Sequence, residues 1–198
     1  MFPKTLEELI RYFEQFPGVG RRTAERFALF ILGLTPEQIN KFSGILQDVA
    51  SSIHPCKVCN NITDKETCAI CTDTHRDDHV ICVVEDPRDV IALEKTGKFK
   101  GKYHVLLGNI APLEQRGPES LHLLQLINRV ERKEITEVII ATDSDAEGEA
   151  TATYLASILK EKNIPVSRIG LGLPMGADLE LVDIASLSKA LEHRRVVS

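Results

Sequence analysis

Three acidic residues alternate in Asp143-Ser144-Asp145-Ala146-Glu147, and Glu149 follows two positions on. Carboxylates this close repel one another unless a cation or a basic ligand joins them. Mg²⁺ is the usual guest of such a group, held by one or two carboxylates plus water. Upstream, Glu85-Asp86-Pro87 offers a further acid. A plainer chemistry competes: Ser144 followed three residues later by Glu147 fits a capping box. Acids are also favoured at a helix N-terminus by the macrodipole. Capping accounts for Ser144 and Glu147 but leaves Asp143 and Asp145 unexplained.

The cysteines carry a second chemistry. Cys56-x-x-Cys59 and Cys68-x-x-Cys71 are two tight pairs separated by eight residues. Each pair forms a turn whose thiolates converge, and two such turns close a tetrahedral Zn²⁺ site. Four thiolates leave no open coordination position, so the zinc is expected to be structural, stabilising a segment too small for its own core. His54 and His75 flank the site and read as neighbouring or solvated groups rather than ligands. The fifth cysteine, Cys82, lies inside an apolar run and reads as a core thiol.

A third chemistry is cationic. Pro17-Gly18-Val19-Gly20 separates two helical patterns, and Arg21, Arg22 and Arg26 follow at once. Glycines let a backbone approach a phosphate, and N–H groups at a helix N-terminus favour an anion. Helix, Pro-Gly-Val-Gly, helix resembles the helix-hairpin-helix motif, which binds the DNA backbone without reading bases. The expected contacts are Gly18, Val19, Gly20, Arg21, Arg22 and Arg26.

The composition narrows the classes. With 198 residues, 43% of them apolar, the chain can bury a core in one or two domains. A net charge of −5 argues against a generally basic nucleic-acid coat and leaves local patches open. No apolar run is long enough to span a bilayer, and Met1-Phe2-Pro3-Lys4 lacks the apolar core of a signal peptide. A cytoplasmic, reducing setting is expected, which favours metal over disulfides for the paired cysteines.

The elements that must position these groups follow from periodicity. Helices are predicted over 4–16, 21–32 and about 36–52. From His79 the pattern turns α/β. Val80 to Val84 is a continuous apolar run, as in a buried parallel strand. A helix over 87–95 follows, then a strand over 103–107 and a loop rich in Gly and Pro, long enough to suspect function. A helix over 119–132 leads to the strand Val138 to Ala141 and the acidic turn. An Ala-rich helical pattern runs from Ala150 to Lys160, then a strand over 166–169, and a short helix from about Ser186 to Glu192. Ligands bind at the carboxyl ends of strands in such sheets. If the strands ending at Glu85 and before Asp143 are neighbours, Glu85, Asp143 and Asp145 converge on one sheet edge.

Paired with Asp-x-Asp-x-Glu-Gly-Glu, the Glu85 strand resembles the Toprim domain of topoisomerases, bacterial primases and some nucleases. The order of modules resembles more. Phe16-Pro17-Gly18-Val19-Gly20, the four cysteines, Val84 through Val90, Tyr103 through Leu106, Glu147 through Ala152 and Gly172 through Glu180 are similar to the RecR family of bacterial recombination mediators. The resemblance implies a mixed α+β and α/β chain in four modules: a helix-hairpin-helix DNA-binding domain (1–53), a four-cysteine zinc finger (54–76), a Toprim domain with a Rossmann-like parallel sheet (77–172) and a C-terminal tail (173–198) able to swap between subunits. It implies a non-catalytic, usually tetrameric ring on double-stranded or gapped DNA. That ring works with RecO and RecF to load recombinase onto single strands. Arg22 and Arg26 match the DNA-facing positions, and Glu147, with Glu149, the surface that engages RecO.

Two departures from the family pattern stand out. Both aspartates of Asp-x-Asp are kept, which opens a weak Mg²⁺ site at Glu85, Asp143 and Asp145. Leu171 stands where a basic residue is common. The alternative is a Mg²⁺-dependent Toprim nuclease. Topoisomerase chemistry needs a Tyr nucleophile on a strand-passage domain, and Tyr12, Tyr103 and Tyr154 lie in no extra domain. No Gly-x-x-x-x-Gly-Lys-Ser/Thr loop is present for a nucleotide, and no evident general base or Lys stands at the acidic turn.

Overall fold

The structure, a computed structural model, describes residues 2–132, 134–170, 172–173 and 176–194. The chain divides into two compact units, Met1–Ile53 and His54–Ser198.

In the first unit, α1 (Lys4–Glu14) and α2 (Arg21–Leu32) pack through Ile10, Ala24 and Ala28, all fully buried. The two small alanines let the helices approach, and Leu6, Leu9, Phe13 and Val19 close the sides. Phe13 meets Phe16 and Phe27 edge to face, with centroids 5.8 and 5.6 Å apart. α1 stops two residues earlier than its periodicity suggests. The chain then turns at Gly18, whose φ of +76° suits glycine. α3 (Pro36–Ser52) begins with a complete capping box, Thr35 with Gln38, and Pro36 in its first turn. It buries none of its residues among those described.

The second unit begins with a short antiparallel pair, β1 (His54–Pro55) and β2 (Ile62–Thr63), and a single helical turn, α4 (Ala69–Thr72). A four-stranded sheet follows, formed by β3 (Asp77–Val84), β4 (Gly101–Val105), β5 (Glu137–Ile140) and β6 (Val166–Arg168). The strand order is β4-β3-β5-β6 and every pairing is parallel. Helices α5 (Pro87–Lys95), α6 (Leu123–Arg132) and α7 (Ala146–Glu161) make the crossovers. One core joins Ile81, Val83, Leu106, Leu126, Val138 and Leu155; another holds Cys82, Val84, Val90, Tyr103 and Val105. Alternate residues of β3 thus enter opposite layers, which is why it reads as an unbroken apolar run. Cys82 is a core thiol, pushed up to about 12 by burial.

Several boundaries differ from the periodicity. β4 covers 101–105 rather than 103–107, because Leu107 adopts a left-handed φ of 59° and ends the pairing. The stretch expected as a helix from 119 opens instead as a 3-10 turn, Pro118–Ser120. Leu121 and Leu123 are both buried, an alternation that keeps α6 from starting before Leu123. α7 starts at Ala146, four residues before the Ala-rich pattern. α8 (Ile184–Glu192) starts two residues before Ser186, because Asp183 caps it by accepting from the Ser186 N–H at 2.9 Å.

β4 is an edge strand, and the cysteine module covers it. The Val105 N–H donates to the Cys59 carbonyl at 2.7 Å, and Asn60 Nδ2 donates to the Val105 carbonyl at 3.1 Å. Lys102, nearly buried, donates through Nζ to the carbonyls of Ile70, Cys71 and Asp73. The edge is therefore paired rather than open to other chains. His104, in the same strand, is fully buried, and burial lowers its ring to about 3, so it stays neutral.

Candidate functional site

The sulfurs of Cys56, Cys59, Cys68 and Cys71 all lie within 4.8 Å of one another. A tetrahedral site with Zn–S bonds of about 2.3 Å needs sulfurs about 3.8 Å apart, and Cys59 and Cys68 stand at 3.5 Å. The turn is fixed by the Asn60 N–H on the Cys56 carbonyl at 3.0 Å and by Asn60's left-handed φ of 60°. Main-chain N–H groups of Val58 and Cys68 point at the Cys56 sulfur from 3.4 and 3.3 Å, which stabilises a thiolate. Cys59, Cys68 and Cys71 compete for protons with one another. Hydrogen bonds from Cys59 and Cys71 pull Cys68 down, while Cys59 is pushed up and Cys71 reaches about 12. Four converging sulfurs are a donor set that fits structural Zn²⁺. His75 is solvated and His54 exposed, and neither joins the cluster.

The acidic turn is built differently from its sequence pattern. β3 and β5 are neighbours, so Glu85 and Asp143 do meet. They meet through the main chain: Asp143 N–H donates to Glu85 Oε1 at 3.0 Å. Asn109 Nδ2 donates to Glu85 Oε2 at 3.0 Å and to Glu147 Oε2 at 3.3 Å. Burial raises the Glu85 carboxyl, with Asp143 and Asp145 adding to the effect against these two donors. Asp145 caps α7, accepting from the Gly148 N–H at 2.8 Å. This corrects the Ser144–Glu147 capping box: the cap is one residue later, because Glu147 faces Asn109. Glu149 is held by Arg168 and by Lys189 of α8, the latter at 2.6 Å, and both cations lower it. Glu85 and Asp145 thus each accept from a main-chain N–H, and Glu85, Asp143 and Asp145 do not form a close ligand group among the described residues. Among the described residues, the four cysteines are the group whose ligand atoms gather.

At the hairpin, Gly20 begins α2 and offers no side-chain cap, so the N–H groups of Arg21 and Arg22 open the helix. The Val19 N–H closes the turn on the Phe16 carbonyl at 3.0 Å. Arg21 is engaged within the chain. Its guanidinium grips Glu7 with two bonds of 2.7 and 2.9 Å and Glu25 with one of 2.8 Å. It pins α1 to α2 rather than facing a ligand. Arg22 and Arg26, one turn apart, are exposed and make no ion pair among the described residues. Leu171 lies outside the described residues.

Three partners were not evident as site residues from the sequence. Asn109 lies in the long loop after β4, and the loop's length was the available signal. Arg168 and Lys189 meet Glu149 from 19 and 40 residues away, and no local pattern announces either.

Family models of known proteins match the chain in four successive stretches. They are the RecR helix-hairpin-helix over residues 6–50, the RecR four-cysteine zinc finger domain over 53–73, the Toprim domain over 79–170 and the RecR C-terminal segment over 172–195. Among the described residues no helix is long and apolar enough to cross a membrane.

Proposed function

The chain belongs to the RecR family of recombinational repair, and from that premise we propose that it is a non-catalytic DNA clamp. Its partners on this reading are RecO and RecF, with which it loads recombinase onto single-stranded DNA. One observation carries the DNA contact. Arg22 and Arg26 make no ion pair among the described residues and stand beside an uncapped helix N-terminus, while Arg21 holds the helices together. Charges placed this way suit phosphates and read no bases.

The DNA test compares Arg22→Ala/Arg26→Ala with the parent. The double variant should weaken all duplexes alike and lower the salt slope by about two, one for each lost phosphate contact. Arg21→Ala should instead act on the thermal stability of the first unit. Unchanged affinity of the double variant at matched salt would remove the hairpin as the contact.

Assembly into a tetrameric ring multiplies such contacts without new chemistry. Support comes from α3, which leaves Phe42, Ile45, Leu46 and Val49 exposed on a unit whose core is elsewhere. Apolar faces of this kind mark interaction surfaces.

The acidic edge is the docking surface for RecO on this reading, with half-buried Glu147 its central acid beside exposed Asp143 and Asp145. Glu149 is already paired within the chain. The engagement of Glu85 by Asn109 and the Asp143 N–H, and of Asp145 by α7, supports docking over metal-dependent cleavage. Glu147→Lys should lose RecO binding while keeping DNA affinity and assembly. Retained RecO binding by this variant, together with cleavage by the parent that Asp143→Asn abolishes, would make the chain a nuclease.

A further inference from the structure

We propose that the groove between α6 and the cysteine knuckle is a second phosphate site, taking the sugar-phosphate backbone of a nucleic-acid strand independently of the hairpin. Gln125, Asn128, Arg129 and Arg132 are spaced i, i+3, i+4 and i+7, so they form one stripe of α6. Leu123, Leu126 and Val130 of the same helix are buried in the core. The stripe lines a cavity of about 340 Å³, bounded by Lys57 and Val58 of the knuckle and by Lys102 and Asp78.

The charges around this cavity divide into those already matched and those left over. Lys57 pairs with Glu66 at 2.6 Å. Lys102 has its donors on three carbonyls and lies 3.5 Å from Asp78. The α6 stripe has no such match. Arg129 uses one nitrogen, Nη1, on the Tyr103 carbonyl at 2.6 Å and on His104 Nδ1 at 3.5 Å, and a guanidinium has five N–H groups. Arg132 is exposed, and neither arginine pairs with a carboxylate among the described residues. The Gln125 Oε1 is buried and has no hydrogen-bond partner among the described residues. Rotating its amide end exchanges oxygen for an amino group, a donor suited to a phosphate oxygen.

A simpler account places Arg129 and Arg132 in the last turn of α6 to complement its macrodipole. That explains two cations but not the unpaired amide or the concavity. The stripe runs about 10 Å along the helix, and a strand presents a phosphate roughly every 3.4 Å of duplex axis. Donors spread along a line suit a strand, whereas a free phosphate needs them to converge on a point.

The test uses the full zinc-bound chain and a labelled oligonucleotide followed by anisotropy. Arg132→Glu and Asn128→Asp are made in the parent and in the Arg22→Ala/Arg26→Ala background; Arg129 is left because it holds β4. Each is expected to weaken binding in both backgrounds, Arg132→Glu on the order of tenfold with a salt slope lower by about one. Zinc content and circular dichroism check that the fold is kept. Unchanged affinity and slope in both backgrounds overturn the proposal. So does a groove that answers to free phosphate alone: inorganic phosphate or a nucleoside monophosphate raising the melting temperature of the parent but not of Arg132→Glu, with DNA affinity equal in the two. If the hairpin variant binds like the parent, the hairpin reading fails while the Arg132→Glu comparison still decides the groove.

Discussion

Stripping the zinc should unfold residues 54–73 and release β4 from its cover. The module buries Cys56, Cys59 and Cys68 and has almost no other core of its own. Structural zinc supplies roughly 10 kcal/mol or more of apparent folding free energy in isolated finger peptides, far more than so small a segment can replace. The effect should spread, because the Cys59 carbonyl and Asn60 hold Val105, and three carbonyls from Ile70 to Asp73 hold the Lys102 ammonium. Losing them takes three hydrogen bonds from a nearly buried cation and leaves it Asp78 at 3.5 Å, which is costly. Chelation, or Cys56→Ala, should therefore speed amide exchange at Val105 as well as in the module. The helices of the first unit should keep their circular dichroism. Zinc-free protein with unchanged exchange at Val105 would show that the sheet edge does not depend on the metal.

Gly148→Ala should collapse the acidic turn. A Cβ built there lies 2.2 Å from the Asp143 carbonyl oxygen, 2.7 Å from its carbon and 2.9 Å from its nitrogen. All three are main-chain atoms, so no rotamer relieves the overlap and the turn must open. Opening separates the Asp143 N–H from Glu85, a buried acid, and the Gly148 N–H from its cap on Asp145. A lost cap costs about 1 kcal/mol, and an unpaired buried acceptor about 1–3 kcal/mol. With the steric term, the second unit should lose several kcal/mol and its melting temperature should fall by roughly 10 °C. Gly170→Ala is the control, since nothing lies within 4 Å of a Cβ there. Equal melting temperatures for the two variants would mean that the turn yields without cost.

What the sequence made legible was local. Two Cys-x-x-Cys pairs announce their own geometry, because each turn brings its sulfurs together whatever surrounds it. The strand ending at Val84 was legible from its unbroken apolar run. Properties that depend on distant partners were not. Arg21 and Arg22 are the same residue type side by side, yet only the packing of α1 on α2 places Glu7 against the first. Asp145 and Ser144 are both good caps, and the choice falls to Asp145 because Asn109 draws Glu147 elsewhere. The Mg²⁺ reading rests on spacing in the same way. Alternating acids look like a metal cluster, and nothing local tells that Glu85 takes the Asp143 N–H or that Asp145 takes the Gly148 N–H.

The attachment of α8 bears on any titration with salt. The helix buries no residue among those described, and Lys189 ties it to Glu149 and to the Ser144 carbonyl. A fastening made of charges loosens as ions screen it, whereas one made of apolar contact does not. Rising salt thus acts on two equilibria at once, the grip on DNA and the seating of the chain's last helix. A binding curve plotted against salt for this protein folds both into one slope, and only the difference between variant and parent at a shared ionic strength separates them.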